Sequence, residues 1–217
     1  MENKGLLSDI YAQLSEFFKE PAKEFAGDVA SGRLFDYFTD VFSILGLDSA
    51  PLEGLAVDGD AHAVLKDEYR KLFLGPLPPY IVPVESVYKR WSNDPSCTLP
   101  IAVEKGYFMG DPAMDMINRY QADGLVIRDA YASMPDHIAL ELEYMAFLLR
   151  SKDDEEAGKF LSGHLDWIGE LARDIASLGG RGGFYCAVGE IALTVISFFP
   201  SERHPTAKAQ RCRPWTL

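Results

Sequence analysis

Histidine, cysteine and basic residues are all in short supply in this chain. Four of the 217 residues are His and three are Cys. Cys97, Cys186 and Cys212 stand far apart with no Cys-x-x-Cys, which argues against a disulfide framework or a zinc knuckle and suits a reducing compartment. Lys and Arg number 21 against 33 Asp and Glu, a net charge of −12. That surplus repels phosphate backbones and anionic membrane surfaces, so no nucleic-acid partner is expected and a cationic one is favoured. No apolar run reaches the roughly 20 residues that cross a bilayer. The most apolar window, 184–199, carries Glu190 near its middle, which marks a buried core helix instead. The amino terminus lacks the basic, apolar and small-residue regions of a secretory signal. A cytoplasmic protein without membrane insertion is the expectation.

Catalytic signatures are missing too. Gly-x-Ser-x-Gly, His-Glu-x-x-His, Gly-x-x-x-x-Gly-Lys-Ser/Thr and Glu-x-x-His do not occur, and the glycine run at 179–183 lacks the Lys-Ser/Thr and the preceding strand of a phosphate loop. It reads as a turn. Strand signals reduce to Leu125-Val126-Ile127, too isolated for a sheet.

What the chain does have is helical periodicity. Hydrophobic residues make up 47% and charged residues 25%, enough for a packed core. Leu6, Leu7, Ile10, Tyr11, Leu14, Phe17 and Phe18 form one stripe, ended by Pro21. The spacing continues over 22–47, where Gly32 is a candidate break, and 47–59 reads as a loop. A helix over 61–74 places Val64, Leu65, Tyr69, Leu72 and Phe73 opposite Lys66, Asp67, Arg70 and Lys71. Gly75-Pro76-Leu77-Pro78-Pro79 then forms a stiff connector. Asp111 before Pro112 predicts an N-cap, with Gly124 as the stop. Ser133 and Asp136 approximate a capping box for a helix buried through Ile138, Leu142, Met145 and Leu149. One helix over 159–178 and a central one over 184–199 complete an all-α compact bundle with no significant β-sheet. Residues 1–200 read as one helical domain with a possible hinge near 104–134. Residues 201–217, basic and poor in aliphatics, read as a mobile tail.

The polar group of interest is Asp136-His137, with Glu141 one turn on along the same helical face. Helix capping explains Asp136 well. Without a second His or Cys the group is a weak metal set, and no metal or cofactor is expected. Acid–base work by His137 would need a nucleophile or oxyanion motif that is not there. Leu72, Phe73, Tyr88 and Trp91 beside the proline connector would suit either an apolar groove or the core.

Three segments carry a resemblance. Tyr69-Arg70-Lys71-Leu72-Phe73-Leu74-Gly75-Pro76 is similar to a Tyr-x-x-Leu-Phe-x-Gly-Pro helix end. Pro83-Val84-Glu85-Ser86-Val87-Tyr88 is similar to a proline-led Glu-Ser-Val-Tyr. Met134-Pro135-Asp136-His137-Ile138 is similar to Glu-x-Pro-Asp-His entering a central helix. Their order and separation resemble the redox-enzyme maturation chaperones, the TorD/DmsD group related to the NarJ nitrate reductase assembly chaperones, over about residues 5–199. Ser133 stands where that pattern usually has Glu.

The resemblance implies an all-helical bundle of the TorD/DmsD type, not an enzyme. Its partner would be the twin-arginine signal peptide and precursor of a molybdenum-cofactor oxidoreductase, held in the cytoplasm during cofactor insertion, with the chaperone a monomer or homodimer. The implied peptide-binding residues are Asp136, His137, Leu72, Phe73, Pro76, Glu85, Tyr88 and Trp91. Asp136 would offer one oxygen to a capping N–H and the other to a guanidinium. The competing readings are a small-molecule hydrolase using Asp136 and His137, and a helical adaptor without a peptide groove.

Overall fold

The computed structural model describes residues 3–75, 78–180 and 182–201, with side chains through 198. Pro76 of the connector and the tail from 202 lie outside the described residues. Among the described residues ten α-helices appear in the order α1 (Lys4–Phe17), α2 (Lys23–Ala30), α3 (Arg33–Leu45), α4 (Ala61–Phe73), α5 (Glu85–Tyr88), α6 (Asp111–Ala122), α7 (Ile138–Ser151), α8 (Asp154–His164), α9 (Ile168–Gly179) and α10 (Phe184–Ser201). No strand forms among the described residues, and the one β-bridge, Val84 with His137, is isolated.

Two helices sit at the centre because their sequences are apolar on more than one face. α7 buries Ile138, Ala139, Leu142, Met145, Leu148 and Leu149, and α1 lies along it through the predicted Leu7, Ile10, Tyr11, Leu14 and Phe17 stripe. α10 buries Tyr185, Val188, Ile191, Ala192 and Val195 completely and is flanked by α9, α4, α1 and α8. Its expected central position holds. Each of the buried Leu, Ile, Val and Met side chains contributes about 1.5–3 kcal/mol of transfer free energy.

The break at Gly32 is real: the residue sits at φ 76, a left-handed backbone that glycine adopts without the Cβ clash of other residues, and it separates α2 from α3. The segment 47–59 is more ordered than a bare loop. A 3-10 turn at Ala50–Leu55 buries Leu52 and Leu55 against α10, so closely that a Cβ on Gly54 would lie 2.6 Å from the Ala187 Cβ.

Three expectations need correction. The helix expected over 159–178 is two: α8 is capped by Asp153, whose side chain accepts from the Glu156 N–H at 2.8 Å, and the chain turns at Leu165 before α9. Periodicity runs unbroken across that corner because Leu165 and Ile168 are both buried. Asp111 is not an N-cap. Gly110 holds that position, and the Asp111 carboxylate accepts from the Ser92 hydroxyl at 2.9 Å and the Asn93 N–H at 2.7 Å. Nor does Asp136 cap α7. His137 does, its Nδ1 accepting from the Ala139 N–H at 3.1 Å, while Ser133 is exposed.

Candidate functional site

The three motif segments converge on one seam. After α4 the chain passes through the cis Pro78-Pro79 bond and returns across the helix end, the Ile81 N–H donating to the Leu72 carbonyl at 2.7 Å. It then runs antiparallel to the entrance of α7: the Ile138 N–H donates to Pro83 O and the Glu85 N–H to Asp136 O, both at 3.0 Å. The Asp136 side chain completes the clasp. Its Oδ2 accepts from the Ser86 N–H at 2.7 Å and the Ser86 hydroxyl at 2.5 Å. Asp136 is 1% exposed and its Oδ1 has no hydrogen-bond partner. Burial raises its carboxyl above the usual range, against the lowering effect of the Ser86 bonds. A guanidinium reaching this carboxylate would have to displace the connector.

His137 is equally internal. It is 5% exposed, packs at 5.0 Å against the Tyr131 ring, and burial, with a smaller contribution from Lys19, lowers its pKa to about 4. Its Nδ1 lone pair is spent on the cap, so the pair presents no base to a substrate.

Behind the clasp lies a buried polar cluster that joins four helices. Glu85 of α5 meets the Nδ1 of His164, at the end of α8, at 2.8 Å, and the other ring nitrogen meets Asp115 of α6 at 2.7 Å. Glu141 of α7 accepts from the Trp167 indole N–H at 3.1 Å. Lys89 lies 2.7 Å from Glu85 Oε1 and 2.5 Å from Asp166. Burial and then the adjacent Glu85 charge push the Glu141 carboxyl well up, so it holds a proton and shares it with Glu85. For Glu85, burial acts upward too, but the His164 and Glu141 hydrogen bonds and the Lys89 charge outweigh it and keep it ionised. Ligand atoms of Glu85, Glu141 and His164 come within 4.8 Å of one another, the set in this region suited to a cation.

On the solvent side of the connector there is a groove. Pro79, Tyr80, Ile81, Val82, Val87 and Tyr88 line one part of it, with Asp174, Ser177 and Leu178 of α9 also in its lining, around about 510 Å³. A second hollow of about 340 Å³ also touches Leu178 and is lined by Glu68, Lys71, Leu72 and Gly179. The Tyr88 hydroxyl donates to Asp174 at 2.8 Å, and its ring packs on Trp167 at 4.8 Å. The surface is oily, with acids among its lining.

Of the residues singled out from sequence, Tyr88 and Leu72 reach this groove. Phe73 is core, 7% exposed and packed on Tyr185 at 5.4 Å. Glu85 belongs to the buried cluster, Asp136 and His137 to the clasp. Trp91 lies apart, its indole N–H donating to the Phe108 carbonyl at 3.1 Å. Tyr80, Asp174, Leu178 and Glu68 were missed. Only the exposed apolar character of Tyr80, beside three prolines, hinted at a binding surface.

No helix among the described residues is long and apolar enough to cross a membrane. No curated protein sequence matches the chain. Residues 38–173 match the family described as the nitrate reductase delta subunit, a stretch that contains all three motif segments, the clasp and the whole buried cluster. The chain therefore belongs to the nitrate reductase delta subunit family, whose members are molybdoenzyme maturation chaperones related to the TorD/DmsD group.

Proposed function

We propose that this protein is a cytoplasmic chaperone that binds the twin-arginine signal peptide of a molybdenum-cofactor oxidoreductase precursor and assists its maturation before export. The observation that carries this reading is the groove beside the connector. It combines apolar walls from Tyr80, Ile81, Val82, Val87 and Leu178 with the carboxylates of Asp174 and Glu68, and a signal peptide combines a basic start with an apolar segment. Family membership and the net charge of −12 support the same assignment.

The division of labour differs from a direct guanidinium contact at Asp136. Asp136 and His137 hold the connector against α7, Leu72 and Tyr88 shape the groove floor, and Asp174 and Glu68 face the peptide's basic residues. Glu85 and Phe73 support from behind. Burying roughly 400 Å² of apolar surface gives a gross gain of about 10 kcal/mol. Association and peptide ordering remove several kcal/mol of that, leaving micromolar binding and ready release.

Calorimetry with an Arg-Arg signal peptide and its Lys-Lys counterpart tests the reading. Tighter binding of the Arg-Arg peptide is expected, since a guanidinium engages a carboxylate through two parallel bonds. Equal heats for both peptides, or none for either, reject it.

A further inference from the structure

We infer that Glu85, Glu141 and His164 form a buried site for one divalent transition-metal ion that ties α5, α7 and α8 together behind the peptide groove.

Three observations carry this. Each residue offers a ligand atom within 4.8 Å of the others, and the residues are only 1%, 0% and 6% exposed, so water does not compete for the ligands. Glu141 Oε1 accepts no hydrogen bond, and its carboxyl is held beside Glu85 by one shared proton. Glu85 Oε1 is met by the Lys89 ammonium at 2.7 Å. A buried carboxylate pair needs positive charge beside it, which a divalent ion supplies in place of that proton. Lastly, His164 is already oriented. Its Nε2 faces the Asp115 carboxylate at 2.7 Å, which is itself held by Arg119 at 2.7 Å. A carboxylate behind the ring fixes the tautomer and turns the opposite nitrogen toward a metal.

Charge balance fits the ion. In the metal-free cluster His164 Nδ1 contacts a Glu85 oxygen at 2.8 Å and the Glu141 carboxyl lies against Glu85. A divalent ion takes the place of those hydrogen bonds, and the protons it displaces leave to solvent. Lys89 then yields Glu85 and keeps its contacts with Asp166 and the Gly163 carbonyl at 2.5 and 2.6 Å. One imidazole with two carboxylates suits zinc, manganese or ferrous iron rather than calcium or magnesium. Entry lies on the side of Asp115, whose side chain is 47% exposed.

The test uses the full chain, stripped with a chelator and titrated with Zn²⁺ in a calorimeter, alongside Glu141→Gln. The Gln amide keeps an acceptor for Trp167 and supplies a donor to Glu85, so this variant retains its helical circular dichroism. One zinc per wild-type chain and a loss of about a hundredfold or more in affinity in Glu141→Gln are expected. Wild type that takes up no zinc, or a variant that binds as tightly, overturns the site. A second measurement does not depend on the variant. Co²⁺ in wild type should give weak d–d bands alone, and an intense thiolate charge-transfer band would place the metal on cysteine and overturn the assignment.

Discussion

The side chain of Asp136 holds Ser86 across a gap of 50 residues, one carboxylate oxygen taking both the Ser86 N–H and its hydroxyl. This contact couples the entry of α7 to the connector that forms one wall of the groove. Asp136→Ala leaves two buried donors unsatisfied and is expected to cost about 3 kcal/mol, with Ser86→Ala costing about 1–2 kcal/mol. Urea unfolding measures both. A double variant no worse than Asp136→Ala alone would show that they act as one unit.

His137 makes stability depend on pH. Its folded pKa is lowered from 6.5 to about 4, so the unfolded chain binds a proton that the native state refuses. The contribution is complete above pH 6.5, fades as pH falls from 6.5 to about 4, and is lost below that. The full change is about 3 kcal/mol. His137→Asn, which retains a capping oxygen, should flatten the unfolding free energy across that window while leaving other acid transitions in place.

Gly110 is a packing requirement. A Cβ there would lie 2.5 Å from the Trp91 carbonyl oxygen, and the Gly110 N–H donates to the Ser86 hydroxyl at 3.3 Å. Gly110→Ala is expected to destabilise by about 2–3 kcal/mol and to loosen the clasp, seen as faster amide exchange at Glu85 and Ile138.

At the groove, Leu178 is 36% exposed and borders both hollows. Leu178→Arg places a cation among the acids and fills the oily path. Peptide affinity should fall at least about tenfold with stability changed by less than about 1 kcal/mol. Fluorescence anisotropy with a labelled signal peptide reads the first, thermal unfolding the second. Unchanged affinity would move the peptide site elsewhere.

Helices were legible wherever local patterns carried them: the α1 stripe, the Gly32 break, the end of α4 before the prolines, and the α10 run that is apolar nearly all round. The α8–α9 corner was hidden because it keeps the buried spacing while the chain turns, and nothing local to 164–168 reveals that His164 and Trp167 are drawn toward Glu85 and Glu141 on other helices. The capping roles failed for a related reason. Asp111 and Asp136 are good caps by type, yet each carboxylate gains more from donors that the fold brings from a distant segment.

Periodicity, charge sign and proline placement, all properties of residues and their near neighbours, determined by themselves that this protein is helical, acidic and stiffened after α4. Only the tertiary structure decided that Asp136 and His137 face inward, that Tyr88 lines a hollow with Asp174 while Leu72 lines a second one meeting it at Leu178, and that Glu85, Glu141 and His164 meet. Those relationships join positions tens of residues apart, and the desolvation that gives them their energy exists only once the helices have packed.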